Sequence, residues 1–569
     1  MMRTQPRPGA PPSLGRLAWG LCLVLMAAVD ALAGAPAVQF VDATAPLGID
    51  FRHRSSATPG KYLPETMGSG VAILDFDRDG RLDIFFANGA RILNPMPAGE
   101  LPRKDGPEFS NRLYRQQAGG GFIDVTATAG LAGTGYCTGV AAGDIDNDGY
   151  PDLYVGGLDG GRLYRNQGDG TFADITETSG TRGSGWISSV AFLDYDHDGL
   201  LDLFVGRYLD WSFEKEVYCG SPPVRAYCSP SVYPALPPLL FRNLGGGRFQ
   251  DVTEPSGIGR FHGKALGVAV ADLDRDGRID IFVANDGMEQ FLLLGHADGT
   301  FREEALVAGV AVDQDGNSFA GMGTDVADFD NDLQPDILVT NLSNQSYALY
   351  RGDGAGGFEW ASDTTGLSQI SLLYAGWGFR FIDYDNDGWR DVLITQGHVL
   401  DTIEITSPHI AYAQPPFLLK NLEGKAWRNV SAESGEVFSR PAVGRGLAVG
   451  DLDNDGDLDV VLSLLDSPAQ ILLNQGGNRQ NWIQFELEGT RSNRQGIGAE
   501  VTVTLPDGGR RQATVTTTSS YQSASDPRVH FGLGSADHVV EVEIRWPSGQ
   551  RQLLGRQPAN RLIPVREPG

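Results

Sequence analysis

Basic residues are the scarcer charge: 45 Lys and Arg stand against 72 Asp and Glu, a formal net charge of −27. That balance argues against nucleic acid, whose phosphates demand Lys and Arg patches, and against anionic membranes. Long apolar runs are missing too. The longest, Leu17 to Val29, falls short of the roughly twenty residues a membrane span needs. GxSxG, HExxH and CxxCH strings are absent, so no recognisable catalytic motif is present. Cysteine is sparse, with Cys22 inside the apolar run and only Cys137, Cys219 and Cys228 beyond it.

The apolar run follows Arg3, Arg7 and Arg16 and precedes small residues at Ala31, Ala33 and Ala35, the pattern of a secretory signal peptide over residues 1–33. Cys22 lacks the small residues that a lipoprotein cleavage site places before it. The expected mature chain is exported, secreted or periplasmic, with its formal charge moved to −29 by the loss of three Arg and Asp30. An oxidising compartment permits a Cys219–Cys228 disulfide inside a Pro-rich insertion, leaving Cys137 as a buried small residue.

Aspartate is what the chain has in excess, and it is ordered. The nine-residue string DFDRDGRLD (Asp75, Asp77, Asp79, Asp83) returns as DIDNDGYPD (Asp144, Asp146, Asp148, Asp152) and DYDHDGLLD (Asp194, Asp196, Asp198, Asp202). It returns again as DLDRDGRID (Asp272, Asp274, Asp276, Asp280), DFDNDLQPD (Asp328, Asp330, Asp332, Asp336), DYDNDGWRD (Asp383, Asp385, Asp387, Asp391) and DLDNDGDLD (Asp451, Asp453, Asp455, Asp459). Carboxylates at positions 1, 3, 5 and 9 with a backbone carbonyl at 7 supply the hard oxygen ligands calcium prefers, and glycine at position 6 permits a sharp left-handed turn. The spacing predicts up to seven structural Ca2+ sites. An EF-hand is excluded, because position 12 is never Glu (Phe86 and Val155 in the first two copies) and the flanks are short β-type runs such as GVAVA and DIFVA. Each loop therefore closes a β-hairpin. The fifth departs from the pattern, with Leu333 in place of Gly, and Asp313 and Asp315 in VDQDGNSF lack a third Asp and read as an ordinary turn.

Between the loops runs a second pattern, seen whole in LYRNQGDGTFADITETSG from Leu163 to Gly180: an LYRN strand, a Gly-rich turn and an FxDVT strand. Four strands per repeat of roughly fifty residues point to propeller blades. The last repeat ends at Gly477 without its FxDVT strand, while an orphan FVDATAPLGI, Phe40 to Ile49, precedes the first loop. Pairing the two ends leaves no open edge. The expected fold is all-β, a seven-bladed propeller over residues 38–477 closed by strand exchange, followed by a small β domain over 478–569.

The cation loops fall on one face. The long insertions near Ala90–Ser110, Tyr208–Pro238 and Gly397–Pro416 fall on the other, which is the expected face for a protein or glycan ligand. Trp186, His262, Lys264, Asn285, Asp286, Trp377, His398 and Arg445 stand near inner-strand ends there as candidate ligand contacts; the alternative is that Trp186 and Trp377 plug the channel while His262 and Arg445 are solvated, with Glu65 open to either role.

The DxDxDGxxD hairpins resemble FG-GAP/VCBS repeats, as in integrin α-subunit propellers. The tail resembles the ASPIC/UnbV domain through Asn481-Trp482, GTRSNRQGIGA from Gly489, SYQSASD from Ser520, HFGLG from His530 and WPSG from Trp546. HFGLG reads as a tight turn before the strand Val539 to Trp546. Together these match the architecture of the cartilage acidic protein family, which implies architecture and calcium but no catalytic residue. The leading expectation is an exported calcium-binding adhesion or ligand-binding module. A polysaccharide lyase or hydrolase working at the propeller mouth, or an assembly protein, are the alternatives.

Overall fold

In the computed structural model the described residues are Met1, Met2 and 38–569; the signal-peptide expectation over 1–33 lies outside them, apart from the first two residues. Contacts divide the chain into Met1–Val38 and Gln39–Gly569. The second unit holds everything below.

It is all-β. Every DxDxD loop joins two antiparallel strands, and the LYRN and FxDVT strands add to them in chain order. In the second sheet these strands are Cys137–Gly143, Asp152–Gly157, Arg162–Asn166 and Phe172–Asp174. The inner strands of the other six are Val71–Leu74, Ile187–Leu193, Ala265–Ala271, Thr324–Ala327, Gly376–Ile382 and Gly444–Gly450. Most inner and second strands are buried throughout, as sheets packed on both faces require. The outermost strand of the last sheet is N-terminal: Gln39–Asp42 pairs antiparallel with Gln470–Gln475, in the register Gln39 to Gln475 and Asp42 to Leu472.

The FxDVT motif has a hydrogen-bonding role. Asp174 Oδ1 accepts from Thr176 N, and Thr176 Oγ1 accepts from Leu163 N at the start of the LYRN strand. Asp124 with Thr126 and Leu113, and Asp251 with Thr253 and Leu240, repeat it. In the last sheet the same bonds run from Asp42 and Thr44 to Ile471, across more than four hundred residues. The LYRN asparagine ties neighbouring sheets together. Asn166, Asn243, Asn421 and Asn474 donate to the position-2 carbonyls of the preceding loops, at Phe76, Ile145, Phe329 and Tyr384. Gln116 does the same to Leu452, joining the first sheet to the last. Gly295 and Gly352 replace this residue in the fourth and fifth sheets.

The tail forms two main sheets, besides the short pair His538–Val539 with Gln557–Pro558. One is Val529–Gly534, Asn481–Glu488 and Leu562–Arg566; the other is Arg510–Thr514, Glu500–Thr504, Glu541–Arg545 and Arg551–Leu554. Their apolar residues, among them Ile483, Phe485, Val501 and Trp546, share one buried cluster with Ala141, Ile145, Val205 and Phe241 of the second and third sheets. The tail core is thus continuous with the repeats. HFGLG is a strand and no turn. Its Gly532 is needed for close approach, since a Cβ there would lie 2.1 Å from Asp383 Oδ2.

Glu567 pins the tail's first loop, accepting from the amides of Thr490, Arg491 and Ser492 and from the Ser492 and Ser548 hydroxyls. Burial alone would raise its carboxyl, but these bonds outweigh it and hold it at about 2. A depressed carboxylate stabilises the fold above its unfolded pKa, and that stability is lost as pH falls through the folded value. Glu567→Gln should therefore lower the melting temperature at pH 7 and flatten its fall between pH 4.5 and 2. An unchanged acid limb in a calorimetric pH series contradicts this. Thr44→Val leaves the Ile471 amide without an acceptor and should cost about 1–3 kcal/mol in urea unfolding; a loss below a few tenths would deny the closing bond its role.

Candidate metal centres and the opposite face

Each loop is shaped by its own carboxylates. In the second, Asp144 accepts from the amides of Asp148 and Gly149, Asp148 from Tyr150, and Asp152 from Ile145 and Asn166. This wrap requires positive φ at positions 4 and 6. Arg78, Asn147, His197, Arg275, Asn331, Asn386 and Asn454 all have φ between 56° and 62°, and Leu333 takes φ 69° where the other copies have Gly.

The wrap brings acids together. One oxygen from each of Asp75, Asp77 and Asp83 lies within 4.8 Å of the others; Asp144, Asp146 and Asp152, and Asp194, Asp196 and Asp202, do the same. In the fourth and fifth loops the converging set is positions 1, 3 and 5: Asp272, Asp274 and Asp276, then Asp328, Asp330 and Asp332. Burial pushes Asp83 up to about 8 and Asp194 and Asp451 to about 7, and neighbouring carboxylates add to the shift. Asp77 Oδ1, Asp196 Oδ1, Asp272 Oδ1, Asp330 Oδ1 and Asp385 Oδ1 are buried without a hydrogen-bond partner. Crowded, desolvated carboxylates with spare oxygens fit a divalent cation, which offsets both the burial and the repulsion.

The third LYRN residue also bears on these sites. Arg165, Arg242 and Arg351 form ion pairs with the position-3 acids Asp146, Asp196 and Asp330, at 2.6, 2.6 and 2.9 Å, and Lys420 pairs with Asp385. Leu294 and Leu473 stand there in the fourth and seventh repeats. Sequence reasoning missed this pairing, although the R of LYRN was in view.

Among the described residues, the expected ligand contacts do not build an open site. Trp186 and Trp377 are each 1% exposed and Arg445 is fully buried. They belong to or adjoin an aromatic cluster with Tyr62, Tyr136, Tyr208, Trp211 and Tyr521. Arg445 stacks 3.9 Å from the Trp377 ring and donates to the carbonyls of Thr66, Gly397 and Gly444. His398, held neutral by burial at about 4, accepts from Leu400 N. Lys264 donates to Pro230 O, and Asn285 Oδ1 accepts from Lys264 N. Asp286, raised to about 6 by burial, accepts from Tyr208 Oη, while His262 is exposed. Glu65, raised by burial, accepts from Thr58 and Tyr227. The insertions pack over these groups, and a disulfide joins Cys219 to Cys228 in a small hairpin there. Cys137 is a buried free thiol.

The FG-GAP-like repeat model matches residues 75–155, 144–205, 237–283, 272–339 and 328–394, and the ASPIC and UnbV model matches 489–569. The chain belongs to the FG-GAP-like repeat family with an ASPIC and UnbV tail. Human cartilage acidic protein 1 is 29% identical over 309 residues, 53% of this chain and 43% of that protein; the mouse protein is 28% identical over 313 residues. The match spans less than half the length of these relatives. Among solved structures, a fungal lectin from Agrocybe aegerita aligns at TM-score 0.41 and 18% identity, covering 69% of this chain and 88% of that one. The BP39L lectin of Burkholderia pseudomallei aligns at 0.41 and 11%, covering 72% and 96%. Likeness at that level carries no argument about ligands. Among the described residues of this FG-GAP-like chain, no helix is long and apolar enough to cross a membrane.

Leucine in the left-handed region costs about 1–2 kcal/mol relative to its usual conformation. Leu333→Gly should therefore stabilise by up to about 1 kcal/mol once the backbone entropy of glycine is subtracted, read as a raised urea midpoint. A lowered midpoint would mean the Leu333 side chain contributes packing that outweighs the strain.

Proposed function

We propose that the seven repeat sheets, each built on four repeat strands, are the blades of one propeller closed by the strand Gln39–Asp42, that each nine-residue loop holds a calcium ion, and that the exported whole is a binding module. The closing bonds of Thr44 and Gln116 support the ring. The observation that carries the cation reading is the convergence of three carboxylates within 4.8 Å, with buried unpartnered oxygens, repeated loop after loop. A bound calcium supplies charge neutralisation and rigidity; positions 1, 3, 5 and 9 and the position-7 carbonyl would hold it. The disulfide fits an oxidising compartment.

The partner reading rests on what each face offers. The tail occupies the loop face, while the insertions present exposed Leu93, Leu101, Tyr218 and Ile405 elsewhere. A protein or glycan ligand is read from that surface. A polysaccharide enzyme would need convergent acid, base and charge-stabilising groups, and His262, Lys264, His398 and Arg445 do not meet at an open site.

Elemental analysis of the purified protein should find calcium, and exhaustive chelation should lower the melting temperature steeply. Each ion at a hundredfold excess over its Kd adds about 2.7 kcal/mol. A glycan array, with a product assay on each hit, should give binding without turnover. Calcium-free protein with an unchanged melt overturns the cation reading, and turnover on any hit overturns the binding-module reading.

A further inference from the structure

The tail does not merely rest on the loop face. Residues 516–526, which contain SYQSASD, leave it and hydrogen-bond to the inner strands of six sheets. Ser523 Oγ accepts from Val71 N in the first sheet, Gln522 O from Val140 N in the second, and Ser189 Oγ of the third from Gln522 N. Ser520 exchanges backbone bonds with Thr324 in the fifth, its hydroxyl accepts from Phe379 N in the sixth, and Ser525 Oγ accepts from Val449 N in the seventh. At its tip Tyr521 donates to Met67 O and packs 4.8 Å from Trp377, inside the aromatic cluster of the far face. One short segment fills the space the inner strands enclose.

Its seating depends on the loops. The tail contacts the position-4 residues, whose conformation exists only in the wrapped loop: Arg494 N donates to Asn147 Oδ1, His530 Nε2 pairs with Asn386 Oδ1 at 2.6 Å, and Arg528 Nη1 donates to Asn454 Oδ1. The seventh loop has the most acid. Arg528, two residues beyond the insert, also donates to Asp451 O, and Gln484 Nε2 donates to Asp451 Oδ2. The Trp482 ring covers Gly456, where a Cβ would fall 1.8 Å from the indole. This loop carries a fifth aspartate, Asp457, fully buried, with Oδ1 unpartnered and Oδ2 accepting from Asn478 N. Its strand has Leu473, as the fourth has Leu294, where the second, third, fifth and sixth repeats place Arg or Lys on the position-3 acid.

We propose that cation occupancy of the seventh loop latches residues 516–526 in the central space, so that cation loss releases the insert while the sheets persist. The inference rests on the reading of the loops as calcium sites. Emptied, five aspartates crowd one loop, and their repulsion opens the wrap that presents Asn454, Gly456 and the Asp451 carbonyl to the tail. The insert then loses the anchor at Arg528, and the space it fills becomes open to solvent from the loop face.

Hydrogen exchange read by mass spectrometry on the full chain, during a calcium titration of chelated protein, tests this. Chelation should speed exchange in 516–526 at least tenfold, with far-ultraviolet circular dichroism retained. Asp457→Asn keeps an acceptor for Asn478 N and removes one charge while leaving the expected ligand set, and should shift the release to lower calcium. Arg528→Leu should speed exchange of the insert at saturating calcium. Calcium removed with the insert still protected overturns the latch and leaves the cation reading intact; release only together with loss of all sheets also overturns it. Protein that binds no calcium overturns both.

Discussion

A carboxylate at the first position of each loop, accepting the amide five residues ahead and in five of the seven copies the one four ahead as well, is the bond on which the rest depends. It forces the chain through two left-handed residues within three positions, turning one strand into the next over nine residues. The second strand returns beside the first and offers the ninth aspartate to the LYRN strand, through Asp152 and the amide of Asn166. Sheet and site are built by the same side chains, so the acids cannot be removed without loosening the sheet. This explains why buried carboxylates with raised pKa values are retained at such density.

The same economy governs neighbouring sheets. The LYRN asparagine reads a carbonyl two residues into the preceding loop, so a loop that is correctly wrapped presents the acceptor its neighbour needs. Order therefore passes from loop to loop around the molecule. The fourth and fifth sheets, with Gly295 and Gly352, lack this tie and depend on apolar packing around Phe282, Leu292, Ile337 and Tyr350.

Much of this was legible in the sequence because the determinants are local. A loop of nine residues carries its own turn chemistry, and the strand order follows from the spacing of DxDxDG, LYRN and FxDVT. The displaced FVDATAPLGI strand revealed its partner because its absence elsewhere was visible. What was not legible depends on contacts between distant segments. Arg445, Trp186 and Trp377 have the composition of a binding mouth and are buried by insertions whose path no periodicity reports. SYQSASD was recognisable as a motif, yet nothing in its residues tells that six sheets supply their partners. HFGLG read as a turn but is a strand, and Gly532 stands where an aspartate lies against it.

The pairing of Gln39–Asp42 with Gln470–Gln475 sets an order on biogenesis. The first strand emerges and finds no partner until more than four hundred further residues have been made. Throughout that interval it exposes an unpaired edge, the feature most prone to wrong association. The segment that fills the centre comes later still, after every sheet that surrounds it. Assembly of this protein is therefore a race between completion of the chain and capture of this strand, and agents that shield extended segments would act at that stage.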